Sequence, residues 1–481
     1  MKKASFILLI VLLVVSTFAF QIPVPSASID EVEIKGQVSL DFDVMPHQYM
    51  KVDDATISGS SVEGELPYNL DMIDVEKVST TGEDVYIAVL DTGLLENWME
   101  YLPVENIVTE WGKGFSYEYC YWNETAEAFY LSGFYDTRGF ITHPLYSGHG
   151  THVVSTITGF KYISTTYGQE FWVRGVAPNV KIIPVLVLDA WVAYVPPGQS
   201  IPEGYYLITG GTDEMVAAGI RYVADLAEEY GIKVIISMSL GGPMPLDLVE
   251  DAINYAIDKG CIVVAAAGNA GYEGMDWPGA YPQVISVAAG GWTMQWIGSG
   301  ESSPPEPYRW WLSDVPECLW QKDALGNKFQ IYLTEFSGRP NASLGQYPWY
   351  LDVCAPGAWI VGPYKPTFGD FGYYYVSGTS MATPHVSAIA ALILEKYPDL
   401  NQKEMEFILK SAAALIRMTH GFRTASATII DIVDDDGLGY VTVTWGPFDY
   451  GTGFLQADNA LCIAKIYKLL KTCYIFSPTL R

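Results

Sequence analysis

Three short segments carry residue types that together perform nucleophilic acyl transfer. The first is Tyr375-Val376-Ser377-Gly378-Thr379-Ser380-Met381-Ala382-Thr383-Pro384-His385. Small residues crowd Ser380, and an Ala-rich helical run follows it. A serine at a helix N-terminus gains from the local positive dipole and from backbone N–H groups without intrahelical acceptors. Those donors can hold an oxyanion. A serine at a helix start is also a common N-cap, so Ser380 by itself allows either role. The second segment is Ser147-Gly148-His149-Gly150-Thr151-His152-Val153-Val154. Glycines on both sides let the chain turn tightly and bring His149 close to another backbone. His149 and His152 stand at i and i+3, which share a helix face and could hold a metal. No glutamate lies between them as a base, and no further ligands accompany them, so His152 reads as a buried structural histidine. The third is Asp91, between Leu90 and Thr92-Gly93. It is either a turn residue or the carboxylate that keeps a histidine ring in its working tautomer.

These residues need elements to carry them. Val85 to Leu90 is a short β-rich apolar run that ends at Asp91. Lys181–Leu188, Lys233–Leu240, Cys261–Ala267 and Val284–Ala289 are runs of the same kind, and each predicts a buried strand. Helical periodicity covers Thr212–Glu229, Leu248–Lys259 (stopped by Gly260), Thr379–Lys396 and Lys403–Leu415. Strands alternating with helices imply an α/β fold with a doubly wound, mostly parallel sheet flanked by helices. Sites in such sheets lie beyond the carboxyl ends of the strands. Asp91, Ser239 to Gly242, and Gly268-Asn269 all fall at such ends. Stretches near 96–146, 190–211, 290–334 and 417–449 are rich in Trp, Tyr, Pro and Gly and break the alternation. They are read as surface insertions on one domain.

Composition narrows the function further. Hydrophobic residues make up 49% and charged residues 17% of 481, which suits a globular protein rather than a disordered one. The formal net charge of −28, from 55 acidic against 27 basic residues, repels nucleic acid and anionic membrane. An acidic habitat would ease that imbalance. Met1-Lys2-Lys3, an apolar run from Phe6 to Val15 and a small residue at Ala19 form a signal-peptide pattern. The apolar run is short for a span of ~20 residues. The expected organisation is a signal peptide over 1–19, a leader or short pro-segment over 20–62, and one large domain over 63–475. The product is then secreted and has no membrane contact after signal cleavage. Of the cysteines, Cys261 and Cys354 sit in apolar runs and suit buried hydrophobes. Cys462 and Cys473 flank a short C-terminal segment and are the more plausible disulfide pair; Cys120 and Cys318 complete the set. Asp434-Asp435-Asp436-Gly437 could bind Ca²⁺ through oxygen ligands or be a solvated acidic loop. Asn123 and Asn341 head glycosylation sequons.

Ala88-Val89-Leu90-Asp91-Thr92-Gly93, Gly148-His149-Gly150-Thr151-His152-Val153 and Ser377-Gly378-Thr379-Ser380-Met381-Ala382-Thr383-Pro384-His385-Val386 resemble the active-site signatures of the subtilisin-like serine proteases. They stand in the family's Asp, His, Ser order. The resemblance extends through most of Pro67 to Asp458, interrupted by the four insertions. It implies an α/β subtilisin-like fold and a secreted serine endopeptidase acting through an acyl-enzyme on Ser380. His149 resembles the general base and later the acid, and Asp91 the orienting carboxylate. Asn269 resembles the oxyanion-hole amide, with the Ser380 N–H as second donor. Ser239-Leu240-Gly241 resembles the segment that pairs with an extended peptide, and Ala266-Ala267-Gly268 a pocket wall. Aligning Trp277-Pro278 to Pro282 with the pocket-closing segment places Asp276 near the base of the first specificity pocket. There it would favour Lys or Arg before the cut; otherwise it is a loop aspartate. The resemblance implies polypeptide substrates, no cofactor for the chemistry, and structural Ca²⁺ as a common addition; a monomer is expected. The segment 20–62 is shorter than the family's usual propeptide, so it is a shortened leader or an attached N-terminal arm. Two other readings compete. One is a catalytically inactive, protease-like peptide-binding scaffold, against which the intact Asp91, His149, Ser380 and Asn269 argue. The other is the sedolisin branch, which lacks the Gly-His-Gly-Thr-His word.

Overall fold

The β-branched runs form the centre of the molecule because each can bury both faces of a strand. The computed structural model describes residues 33–44, 46–52, 64–293, 295, 311–312, 331–419, 423–432 and 438–472. Its principal strands are β1 (Tyr86–Asp91), β2 (Lys181–Leu186), β3 (Gly204–Gly210), β4 (Val234–Met238), β5 (Ile262–Ala266), β6 (Ile285–Trp292), β7 (Val353–Pro356) and β8 (Gly372–Ser377). The principal helices are α1 (His149–Thr158), α2 (Asp213–Tyr230), α3 (Asp247–Asp258), α4 (Thr379–Lys396) and α5 (Gln402–Ala413).

Among the described residues the central sheet has eight strands, with the order β6-β5-β4-β1-β2 at its heart. All of these neighbours run parallel. β7 joins β6 in parallel, and Lys113–Gly114 extends the sheet in parallel beyond β2. Ile331–Leu333 is antiparallel to β6. The α/β, mostly parallel architecture expected from the alternation is therefore present. Register then sets the site: Met238 pairs with both Leu90 and Ala265. Asp91, Ser239 and Ala266 consequently reach the same carboxyl edge, each one residue beyond the Leu90–Met238–Ala265 row.

Four helices follow the sequence pattern closely. Thr212 caps α2, its hydroxyl accepting the Met215 N–H at 3.3 Å. Asn401 closes a capping box with Glu404 at the start of α5. α4 has every residue from Thr379 to Leu394 buried, so it is the helix around which the rest packs, against β4, β5, β6, β7 and α1. Periodicity does not predict α1. All ten of its residues are buried, which leaves no polar face to betray a helical period, and β-branched Val and Thr lower its propensity.

The stretches read as insertions add paired β-structure. Ser116–Asn123 pairs with Ala128–Tyr135, and Ala425–Ile432 with Leu438–Trp445. Asp189–Val195 pairs with β3. A further hairpin, Gly159–Ser164 with Gln169–Arg174, has no counterpart in the sequence pattern. The segment expected to be a leader is laid onto the body where it is described: Ile34–Ser39 runs parallel to β3, and Gln48–Lys51 antiparallel to β8. Residues 1–32, Cys318, Asp434-Asp435-Asp436-Gly437 and Cys473 lie outside the described residues. The thiols of Cys120, Cys261, Cys354 and Cys462 are free. Cys261 and Cys354 are fully buried, as small hydrophobes would be.

Candidate active site

Asp91 ends β1 and His149 begins α1, and both are completely buried. The two elements approach because Gly150 has no side chain: a Cβ there would lie 2.3 Å from the Gly93 carbonyl oxygen. His149 Nδ1 lies 2.9 Å from each Asp91 carboxylate oxygen. A carboxylate only accepts, so Nδ1 carries the proton and Nε2 is left as the basic nitrogen. The Thr92 N–H donates to Asp91 Oδ1 at 2.7 Å, which fixes the carboxylate's rotation. Among the described residues, His149 Nε2 has no hydrogen-bond partner.

Ser380 is the second residue of α4. Its Oγ donates to the Ser239 carbonyl at 2.9 Å, and the Ser239 hydroxyl donates back to the Ser380 carbonyl at 2.8 Å. The second bond exists because of Pro384. In a helix the Ser380 carbonyl would accept the N–H of residue 384, and proline has none. The vacated carbonyl is taken by Ser239, which locks the helix start to the end of β4. In this arrangement Ser380 Oγ does not bond to His149 Nε2.

Asn269 follows β5 on a turn in which Gly268 has φ +90°. Its Oδ1 accepts both the Thr379 N–H at 2.9 Å and the Thr379 hydroxyl at 3.0 Å. An amide is planar, so fixing Oδ1 also fixes where Nδ2 points. A Cβ placed on Gly378 would lie 3.6 Å from Asn269 Nδ2 and 3.7 Å from the Ser380 nitrogen. Two donors therefore face one small volume beside the serine, and glycine at 378 keeps that volume open.

The other residues named from sequence sort into two groups. Ser239 and Gly241 present backbone beyond β4: the Ser239 carbonyl accepts the Ser380 hydroxyl, and the Gly241 carbonyl the Asp43 N–H. Leu240, Ala266 and Ala267 are buried, at 1%, 2% and 0% exposure, and line the strand ends behind it. Asp276 stands against this edge: a Cβ on Gly241 would meet its Cβ at 2.7 Å, and one on Gly268 would meet Oδ2 at 2.3 Å. Burial pushes the Asp276 carboxyl up to about 6, opposed by a hydrogen bond from the Asn269 backbone. His152 is buried and bonded through Nε2 to the Ile360 carbonyl at 3.0 Å, and burial pushes it down to about 3; it is neutral and structural. Sequence reasoning misses the roles of Thr379 and Pro384. The proline inside a helical pattern is the available signal.

Among the described residues, no group of three or more His, Cys, Asp or Glu could hold a metal ion. Residues 82–440 match the family model of the subtilase family. The chain belongs to the subtilase family. It is a serine-type endopeptidase, and subtilase catalysis calls for no cofactor. It is 28% identical to subtilisin DY of Bacillus licheniformis over 356 residues, 72% of this chain and 91% of that one. It is 33% identical to thermitase of Thermoactinomyces vulgaris over 247 residues, 51% of this chain and 61% of thermitase. Among solved structures, sphericase aligns over 83% of this subtilase and 99% of its own chain, at 24% identity and a TM-score of 0.49.

Proposed function

We propose that this subtilase cleaves polypeptides outside the cell through Ser380, His149 and Asp91. The observation that carries the reading is the histidine: Nδ1 is held by both Asp91 oxygens at 2.9 Å, and Nε2 is buried and unpartnered among the described residues. Such a nitrogen is positioned to take a proton. Ser380 Oγ leaves the Ser239 carbonyl, passes its proton to Nε2 and bonds to the substrate carbonyl carbon. The oxygen that becomes negative is received by Asn269 Nδ2 and the Ser380 N–H. As the C–N bond breaks, His149 gives the proton to the departing amine. Water then repeats the sequence on the acyl-enzyme and frees Ser380. Calcium, where bound, would act on stability rather than on these steps. Secretion rests on the pattern over residues 1–19, and no described helix is long and apolar enough to cross a membrane.

A fluorophosphonate should add a single label, on Ser380, and Ser380→Ala should abolish both label and hydrolysis. A chain that binds peptides but takes no label would be a peptide-binding scaffold instead.

A further inference from the structure

The chain carries its own peptide in the cleft. Asp41 to Val44 lies extended between the end of β3 and the segment after β4. The Phe42 N–H donates to the Gly211 carbonyl at 3.0 Å, and the Gly211 N–H returns a bond to the Phe42 carbonyl at 2.8 Å. Asp43 forms an antiparallel bridge with Gly241, its N–H donating to that carbonyl at 3.3 Å. Further on, the His47 N–H donates to the Ser377 carbonyl at 2.8 Å, three residues before Ser380. The space is shaped for a backbone: a Cβ on Gly210 would lie 2.2 Å from the Phe42 carbonyl oxygen, and one on Gly242 2.2 Å from that of Asp41. In antiparallel count, a peptide residue paired with Gly241 stands two residues ahead of the one that reaches Ser239, whose carbonyl holds the Ser380 hydroxyl. With the residue beside Ser239 and the Ser380 hydroxyl taken as the one before the cut, Asp43 marks the third residue before the scissile bond.

The Asp43 side chain is not left to water. One carboxylate oxygen accepts the Tyr146 hydroxyl and the Val44 N–H, the other the Thr209 hydroxyl at 3.0 Å. Tyr146 and Thr209 are buried, at 1% and 0% exposure. Gln37 donates to the Thr209 oxygen at 3.0 Å, so the Thr209 proton is directed at the carboxylate. Tyr146 sits three residues before His149, on the same segment. We propose that Tyr146 and Thr209 form a carboxylate-selecting subsite. By it this protease prefers substrates with Asp at the third residue before the cut, and the N-terminal arm rests in it through Asp43. The inference rests on the peptidase reading and adds a substrate class to it.

The test uses the full chain and internally quenched peptides Phe-Xaa-Val-Met-Ser, with Xaa as Asp, Asn or Lys and serine in place of Pro46. Hydrogen bonds to a charged acceptor exceed neutral ones, so kcat/KM for the Asp peptide should exceed that for Asn by about tenfold or more. Tyr146→Phe with Thr209→Val should bring that ratio toward one. Equal values for Asp and Asn in the unaltered chain, or a ratio unmoved in the double variant, would overturn the subsite. Hydrogen exchange supplies a readout that needs no turnover: Asp43→Asn should speed exchange of the Phe42 and Asp43 amides about tenfold, and unchanged exchange counts against the proposal. This variant also carries the test if the double variant does not fold. Faster exchange in a chain that takes no label on Ser380 would keep the subsite and sink the peptidase reading.

Discussion

Replacing Asn269 tests the oxyanion donors most directly, because the structure separates the two halves of its amide. Oδ1 holds Thr379 through bonds of 2.9 and 3.0 Å, and Nδ2 faces the volume it shares with the Ser380 N–H. Asn269→Ala removes both. Losing one oxyanion donor costs about 10²–10³ in kcat, or about 2.7–4 kcal/mol of transition-state stabilisation, a magnitude measured on subtilisin. Leaving the Thr379 N–H without its acceptor adds a stability loss of about 1–3 kcal/mol. Asn269→Asp separates the effects. It keeps an acceptor for Thr379 but replaces the donor with an oxygen, so kcat should fall at least as far while the Thr379 anchor survives. The assay is kcat and KM on one quenched peptide, with a thermal melt of each variant. KM should change little, since the bond strengthens only as charge develops. Turnover unchanged in the Ala variant, or retained in Asn269→Asp, would refute the argument.

With its carboxyl held by burial at about 6, Asp276 would make the first specificity pocket pH-dependent. The ratio of kcat/KM for Lys over Met before the cut should rise about tenfold from pH 5 to 7, as the ionised fraction grows, and should be flat in Asp276→Asn; a flat ratio in the unaltered enzyme would remove Asp276 from specificity. The same variant should be more stable at high pH. A folded value near 6 against 3.8 for the free group means that ionisation destabilises the fold as pH rises from 3.8 through 6, reaching about 3 kcal/mol above that window. Melts should therefore favour Asp276→Asn at pH 8 and show no difference at pH 3. Ser239→Ala leaves the Ser380 carbonyl without a donor, which Pro384 cannot supply, and should cost about 1–3 kcal/mol; an unchanged melt would reject that account. Gly242→Ala puts a methyl where an extended backbone runs, and should lower kcat/KM on long peptides about tenfold or more while sparing a small ester.

Much of this protease is legible in the amino-acid sequence. Lys233–Leu240 and Cys261–Ala267 read as strands because short β-branched runs bounded by polar residues have few other uses. Asp91 and Asn269 fall at strand ends, where a parallel sheet gathers its sites. Thr379–Lys396 reads as a helix because it is Ala-rich and apolar on one side, and in the fold it is buried from Thr379 to Leu394. α1 escapes the pattern for the same burial, with no compensating propensity. The acidic, weakly patterned stretch ahead of residue 63 offers no period to read, because its short strands take their order from the edges of β3 and β8 rather than from their own side chains.

Sequence by itself, through three short segments that resemble the subtilase signatures, pointed to the reaction class and to the residues proposed here to carry it. Tertiary structure alone decided which atoms face one another. That Asn269 presents Nδ2 rather than Oδ1 follows from Thr379, 110 residues away. That Ser239 and Ser380 exchange hydroxyl bonds follows from a proline four residues beyond the serine and from the register of β4 on β1. That Asp43 meets Tyr146 and Thr209 joins positions 103 and 166 residues apart. Such pairings depend on how strands and helices are packed, and no local pattern encodes them.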